Sequence, residues 1–322
     1  MRYYDNTRIS DYRTCPRKYY FRHEKGWVRI GTPLALINGL AWHDAMDVVW
    51  GSAHREITDT QLVKEGLEAY QATWVAGGMP AAKDMTPDQQ TEFAPRGPFI
   101  AAETLMQYVL QRRKFIRDSE ILAIERPFAV PIYEEEDAPI MYIGRLDKVV
   151  RHKVEGTIVV EHKTTTQFYK TSGLRQSFVD SFSPNSQVDG YLHTGNILYQ
   201  NLRGVWIDVA VFNKTVHDAF KFLPIDRQFA MLNSWLHETR NWIERLENDK
   251  QTFKTGGLGK SFPKNTDRCG DYGGCPFTDV CKFYPDPSAI AGAPPGFKVE
   301  FWNPFDILHI DQLQLPPETP NA

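Results

Sequence analysis

Three charged residues stand at spacings that chemistry can use. Asp147 closes the run Gly144-Arg145-Leu146-Asp147, and Glu161 and Lys163 flank His162. Two carboxylates are hard oxygen ligands for a divalent cation, and a lysine beside them can steady an attacking water. For these groups to meet, the chain must turn back on itself between them. Residues 141–150 are rich in apolar and β-branched side chains, Lys153-Val154-Glu155-Gly156 is polar and turn-prone, and 157–162 again alternates with β-branched positions. That pattern predicts two strands joined as a hairpin. Side chains alternate faces along a strand, so Glu161 and Lys163 share one face and His162 takes the other. Alone, such a trio also matches solvated strand ends with a lysine paired to one acid, because short charge motifs recur by chance. The surrounding chain decides between the two.

Residues 34–50 have helical periodicity, with Gly39 and His43 four apart and therefore on one face. Residues 57–76 and 99–118 predict two more helices, separated over 77–98 by a Gly/Pro/polar loop. The block 44–120 reads as a helical layer or lid inserted before the sheet. A strand at 121–132 turns through the acidic Glu134-Glu135-Glu136-Asp137 into the hairpin. Beyond the hairpin, 167–182 is polar and aperiodic, a loop that faces a substrate. The next helix, 186–202, sets Gln187 and Tyr191 one above the other. Residues 204–212 and 217–223 predict a second hairpin, and 229–246 an amphipathic helix packed on the sheet. No internal repeat is present.

Near the start, Ser10 is placed to cap a short helix that runs to Cys15 and is interrupted by Pro16. Arg17-Lys18-Tyr19-Tyr20-Phe21-Arg22 then alternates cations with aromatics. Either the aromatics are core and the cations solvated, or the run is a surface that holds phosphates and stacks bases.

At 322 residues, with 42% hydrophobic and 24% charged positions, the chain has the composition of a soluble globular protein able to bury a large core. The net charge of −3 leaves nucleic-acid affinity to local patches. Residues 1–30 form one, with eight Arg or Lys against three acids. No run approaches the ~18 apolar residues of a membrane span, and the N-terminus lacks the apolar core of a signal peptide. The expected location is therefore intracellular, cytoplasmic and reducing, without structural disulfides.

That setting bears on the four cysteines. Cys15 lies near the start, and Cys269, Cys275 and Cys281 fall within thirteen residues near the end. Three clustered thiols with a fourth from afar form a metal clip that would staple the two ends of the chain. Four thiolates suit an iron–sulfur cluster or zinc. The five-residue gaps exceed the tight knuckle of structural zinc, which favours a 4Fe-4S cluster over Zn2+ and over unliganded buried thiols.

Together these residues resemble the PD-(D/E)XK nuclease superfamily. Asp147 and Glu161-His162-Lys163 are similar to its core hairpin, and Gly39 with His43 and Gln187 with Tyr191 resemble the flanking motifs of its RecB-like branch. Cys15-Pro16-Arg17-Lys18-Tyr19-Tyr20 and the late cysteines resemble the iron–sulfur subgroup, which includes the CRISPR adaptation exonucleases and relatives in phages. The five elements occur in order from Ser10 to Cys281. The departure is the gap of five between Cys269 and Cys275, where the subgroup has two.

The resemblance implies an α/β, restriction-endonuclease-like fold, a central mixed sheet flanked by helices. One nuclease domain would cover 1–284, with cluster-binding parts at 1–30 and 255–284. A Pro-rich tail at 285–322 would be packed on the body through Phe301, Trp302, Phe305, Ile307 and Leu308. It implies Mg2+ or Mn2+ held by His43, Asp147, Glu161 and the backbone carbonyl of His162, with Lys163 acting on the water and the developing charge. Gln187, Tyr191, Arg17 and Lys18 would serve DNA binding. Glu103 and Glu125 are set aside as ligands. The implied activity is a DNA exonuclease acting on single strands or free ends in recombination, repair or CRISPR-like processing, as a homo-oligomer or with a recombination partner. The competing readings are an endonuclease, and a non-cleaving iron–sulfur or zinc protein that binds single-stranded DNA. A redox enzyme ranks last, since no flavin or nicotinamide motif accompanies the cysteines.

Overall fold

The structure, a computed structural model, describes residues 2–52, 54–133, 139–303 and 306. In chain order the elements are β1 (Arg2–Tyr4), α1 (Asn6–Thr14), α2 (Pro16–Tyr19), β2 (Trp27–Arg29), α3 (Leu34–Gly51) and α4 (Asp59–Ala76). Then come α5 (Pro87–Phe93), α6 (Pro98–Arg117), β3 (Ser119–Tyr133), β4 (Ile140–His152), β5 (Gly156–Thr165), β6 (Phe168–Tyr169) and β7 (Gly173–Leu174). The last are α7 (Gln176–Asp180), α8 (Ser186–Leu198), β8 (Leu202–Val211), β9 (Phe220–Ile225), α9 (Phe229–Gly256), α10 (Thr278–Phe283) and β10 (Phe297–Val299). The fold is α/β, with a mixed sheet in the strand order β1-β4-β5-β8-β9 and β3 also paired to β4. The chain divides into two compact units, 32–126 with 145–228, and 1–31 with 127–144 and 229–322. Among the described residues no helix is long and apolar enough to cross a membrane.

The first of these units holds the predicted hairpin. Strands β4 and β5 are antiparallel with Lys148 opposite Val160 and His152 opposite Gly156. Gly156 adopts a φ of +80° at the turn, a conformation that glycine reaches without strain. Strand β5 runs parallel to β8, and β9 closes antiparallel on β8. A parallel pair needs a crossover, and α8 supplies it. The sheet is covered by α3, whose residues Ile37, Ala41, Trp42, Ala45, Met46, Val49 and Trp50 are all buried. Helices α4 and α6 pack around them through Leu62, Tyr70 and Trp74, and through Leu105, Tyr108 and Ile116.

The other unit has an aromatic core. Tyr19, Tyr20, Phe21 and Trp27 are buried, and Phe253, Phe262 and Phe277 pack against their rings. The aromatics of the 17–22 run are thus core residues, not stacking surfaces. Strand β1 pairs parallel with the start of β4, and α1 meets α9 through the Tyr12 hydroxyl, which donates to Asp249 at 2.8 Å. Strand β10 pairs antiparallel with β2. Upstream of it, carbonyls of the 288–292 segment accept from Lys25 Nζ and Trp27 Nε1.

Several boundaries differ from expectation, each for a local reason. Helix α1 begins before Ser10, because Asp5 accepts from the Arg8 N–H and acts as its N-cap. The 77–98 segment contains a helix, α5, started by a capping box between Thr86 and Gln89. The 167–182 segment holds the β6–β7 hairpin and α7. Helix α8 stops at Leu198, short of 202, because the chain turns through Asn201 at a φ of +56° into β8. Helix α9 runs on past 246 to Gly256. Glu134 to Asp137, Phe305, Ile307 and Leu308 lie outside the described residues.

Candidate active site

The site residues come from five elements of one unit. Helix α3 buries its apolar face on the sheet, which leaves His43 and Asp47, four apart, on the flank that meets β4 and β5. His43 Nδ1 stands 3.3 Å from Asp147 Oδ2. The same oxygen accepts the backbone N–H of His162 at 2.9 Å, which ties Asp147 on β4 to the neighbouring strand. One residue on, Lys148 is fully buried and its Nζ lies 2.5 Å from Asp47, fixing β4 to α3.

On β5, Lys163 Nζ is bonded to Glu161 Oε1, so the alternation of strand faces brings the two together as expected. Gln187 on α8 donates from Nε2 to the same Oε1 at 3.3 Å and to the Tyr191 hydroxyl at 3.0 Å. The other oxygen, Glu161 Oε2, is buried and has no hydrogen-bond partner. A buried carboxylate oxygen without a donor costs free energy that a cation would recover.

Glu125, set aside on the sequence, joins the site. Ligand atoms of His43, Glu125 and Asp147 all lie within 4.8 Å of one another. Glu125 sits on β3 at a φ of +49°, just before Pro127, and that left-handed kink in an otherwise extended strand aims its side chain at the pair. Its Oε2 also accepts from Arg145 Nη1 at 3.3 Å. An acid two residues before a proline within an apolar strand was the available signal. Glu103 is an exposed residue of α6 and belongs to no such group.

The electrostatics are those of an acidic, desolvated pocket. Burial, reinforced by the charge of Asp147, pushes the Glu161 carboxyl up to about 7. Burial also raises Asp147 and Glu125. Burial alone would lower Lys163, but Glu161 and Asp147 outweigh it and hold the ammonium protonated. Burial lowers His43 and so leaves a neutral imidazole, the form that ligates a metal. Glu161 stands outside the group of three ligand atoms, but two carboxylates with one imidazole, and a third carboxylate on β5 with one oxygen orphaned, fit a hard divalent cation, and the nitrogen donor suits Mn2+.

The opposite face of β5 carries a polar network. His162 is fully buried, and burial drives its imidazole down to about 3. Its Nδ1 lies 3.4 Å from Asp208 Oδ2, on the residue paired with it across β5 and β8. That oxygen accepts the Tyr108 hydroxyl at 2.5 Å, and the hydroxyl accepts Trp50 Nε1 at 2.9 Å. Arg112 reaches Asp208 Oδ1 at 3.4 Å. These residues come from four separate segments, and no spacing in the sequence links them.

The cysteines and the basic run lie in the other unit. Cys15 falls between α1 and α2, and the Asn265 N–H points at its sulfur at 3.4 Å. Cys15, Cys269 and Cys275 line a cleft of about 290 Å³ with Lys18, Asn265 and Arg268. Burial raises the thiols of Cys275 and Cys281, and both feel the sulfurs of neighbouring cysteines, so the two ends of the sequence do bring their thiols to one place. Among the described residues no three cysteine sulfurs lie within 4.8 Å of one another. A tetrahedral zinc site would hold them about 3.8 Å apart, given its Zn–S distance of ~2.3 Å. Arg17 is not a surface cation: its guanidinium is buried and donates to the carbonyls of Phe262 and Leu258. Lys18 pairs with Asp11 at 2.7 Å.

The sequence profile of the PD-(D/E)XK nuclease superfamily matches residues 6–282. The chain belongs to this superfamily. The matched span takes in both the hairpin site and all four cysteines. No curated protein matches the chain. Among solved structures, one described as "Crystal structure of SSO0001" is 12% identical, with 69% of this chain and 98% of that chain covered at a TM-score of 0.26. As a PD-(D/E)XK nuclease the chain has the fold that its mixed sheet and flanking helices display, and nucleases of this superfamily use divalent metals. Asp147, Glu161 and Lys163 all lie on the β4–β5 hairpin, within the matched span.

Proposed function

We propose that this PD-(D/E)XK nuclease is a metal-dependent deoxyribonuclease that hydrolyses phosphodiester bonds from DNA ends. The observation that carries the metal site is the buried, unpartnered Oε2 of Glu161 beside the His43–Asp147 contact. His43, Asp147, Glu161 and the carbonyl of His162 hold Mg2+ or Mn2+, and Glu125 adds a carboxylate that the sequence argument omitted. When bound, the cation supplies charge for the phosphate oxygens and lowers the pKa of a water. Lys163, kept protonated, orients that water and neutralises charge that develops on the phosphate. Gln187, held by Tyr191, fixes Glu161 in the rotamer that turns Oε2 inward.

The four cysteines hold a 4Fe-4S cluster, with zinc the alternative. A cleft between thiols that are not within zinc spacing favours the larger group. The Asn265 N–H on Cys15 is the kind of donor that stabilises a thiolate ligand. Roles in recombination, repair or CRISPR-like processing, in a phage or its host, follow from the same reading. Digestion of end-labelled linear and closed circular DNA with Mg2+ or Mn2+ tests it. The exonuclease assignment predicts that linear DNA is degraded and circles survive. Cut circles would make the enzyme an endonuclease, and inert linear DNA would leave a DNA-binding protein.

A further inference from the structure

The hairpin that follows β5 has two unlike faces. Strand β6 pairs antiparallel with β7, with Phe168 opposite Leu174 and Tyr169 opposite Gly173. Phe168 and Leu174 are half-buried and form the inner face. On the outer face Tyr169 is 50% exposed, and its cross-strand partner has no side chain to cover the ring. A Cβ placed on Gly173 would meet nothing within 4 Å, so the outer face at that position is open. Arg175, two residues beyond Gly173 and so on the same face, sets its guanidinium 4.7 Å from the Tyr169 ring centroid. The ring is thus backed by a cation and half exposed.

The charge around it has one sign. The eighteen residues between Glu161 and Asp180 include Lys163, Lys170 and Arg175 and no acid. Among the described residues neither Lys170 nor Arg175 is paired with a carboxylate. The chain leaves β5 at Thr165, two residues past Lys163, and Arg175 N–H closes onto the Gln167 carbonyl at 3.0 Å. At ~3.3 Å per strand residue the base of the hairpin, Gln167, starts at most about 13 Å beyond Lys163, a span of roughly two nucleotides.

We propose that Tyr169, backed by Arg175, is a base-stacking platform for an unpaired nucleotide a few nucleotides along the strand from the scissile phosphate, with Lys170 on the adjoining backbone phosphate. The inference rests on the nuclease reading and assigns named residues of this chain to the holding of an unpaired base. A half-exposed aromatic ring beside unpaired cations matches a base with its phosphate, and stacking requires that the base be out of a duplex.

The test uses the full chain with Lys163→Ala in the background, so that DNA is bound and not cut. The probes are a single-stranded oligonucleotide carrying 2-aminopurine at successive positions, and its blunt duplex, both with Mn2+. Stacking predicts quenched 2-aminopurine fluorescence at one position, lost in Tyr169→Ala and kept in Tyr169→Phe. It also predicts that Tyr169→Ala weakens single-strand binding about tenfold while duplex binding stays the same. Unchanged quenching and affinity in Tyr169→Ala, or an equal loss for the duplex, would overturn the platform. Those results leave the nuclease reading intact if the parent chain still cleaves, whereas a parent that neither binds nor cuts DNA removes that reading itself.

Discussion

Glu161 shows how the site opposes stability. Its carboxyl titrates at about 7 in the fold against an ordinary 4.5, because burial and Asp147 disfavour the anion. A carboxyl raised in the folded state binds its proton more tightly there than in the unfolded chain. The stability this confers is complete below the unfolded value and is lost as pH rises through the folded one. Metal-free protein should therefore lose stability between about pH 4.5 and pH 7, and Mn2+ should restore it by neutralising the anion. Melting curves with chelator or Mn2+ check this: the Mn2+-induced rise should be larger at pH 8 than at pH 5.5. Glu161→Gln should raise the melting temperature of the metal-free protein at pH 8 and abolish the response to Mn2+. At this scale the sequence was informative where chemistry follows strand alternation, as with Asp147, Glu161 and Lys163. It was silent where placement depends on a backbone kink, as with Glu125, and misleading at Arg17, whose cation neighbours a basic surface run but is spent on two buried carbonyls.

Elements hold these residues through contacts with little tolerance. Tyr108 on α6 links Trp50 on α3 to Asp208 on β8, and Asp208 stands against His162 of β5. Tyr108→Phe removes a donor from a buried carboxylate and an acceptor from a buried indole, so it should cost about 1–3 kcal/mol in urea unfolding. Gly204, the third residue of β8, has a φ of +150°, and a Cβ there would stand 2.5 Å from the Ile225 carbonyl oxygen. Gly204→Ala should destabilise by roughly 1–3 kcal/mol through backbone displacement between β8 and β9. The long helices and the strands around the hairpin were legible because burial of one face imposes a period on the residues. The two-residue strands β6 and β7 are too short to display any period. Helix α5 was missed although Thr86 and Gln89 spell a capping box, because the glycines and prolines of the 77–98 segment argued more loudly for a loop.

For the whole molecule, the two compact units divide the proposed roles: His43, Glu125, Asp147, Glu161 and Lys163 in one, and Cys15 with the three late cysteines in the other. Closing a chain between residue 15 and residues near 269 restricts the unfolded state far more than a local clip does, in the chain-entropy picture. Protein purified without oxygen should carry iron and absorb visible light. Cys15→Ala should lose the iron and melt several degrees lower, as measured by metal analysis and calorimetry. Stoichiometric zinc in place of iron would assign the thiols to the alternative metal. That the cysteines meet was legible from their number and clustering, whereas the spacing of their sulfurs, which separates cluster from zinc, was not.

The central claim is that the hairpin binds a divalent metal and that Lys163 then acts on the bound phosphate. Calorimetric titration of Mn2+ into wild type, Asp147→Asn and Lys163→Ala, alongside cleavage of end-labelled linear DNA, tests it most directly. The account predicts that Asp147→Asn loses both binding and cleavage, and that Lys163→Ala keeps Mn2+ binding while cleavage falls at least about a hundredfold. Unchanged cleavage in Lys163→Ala, or Mn2+ binding that survives Asp147→Asn intact, would contradict it.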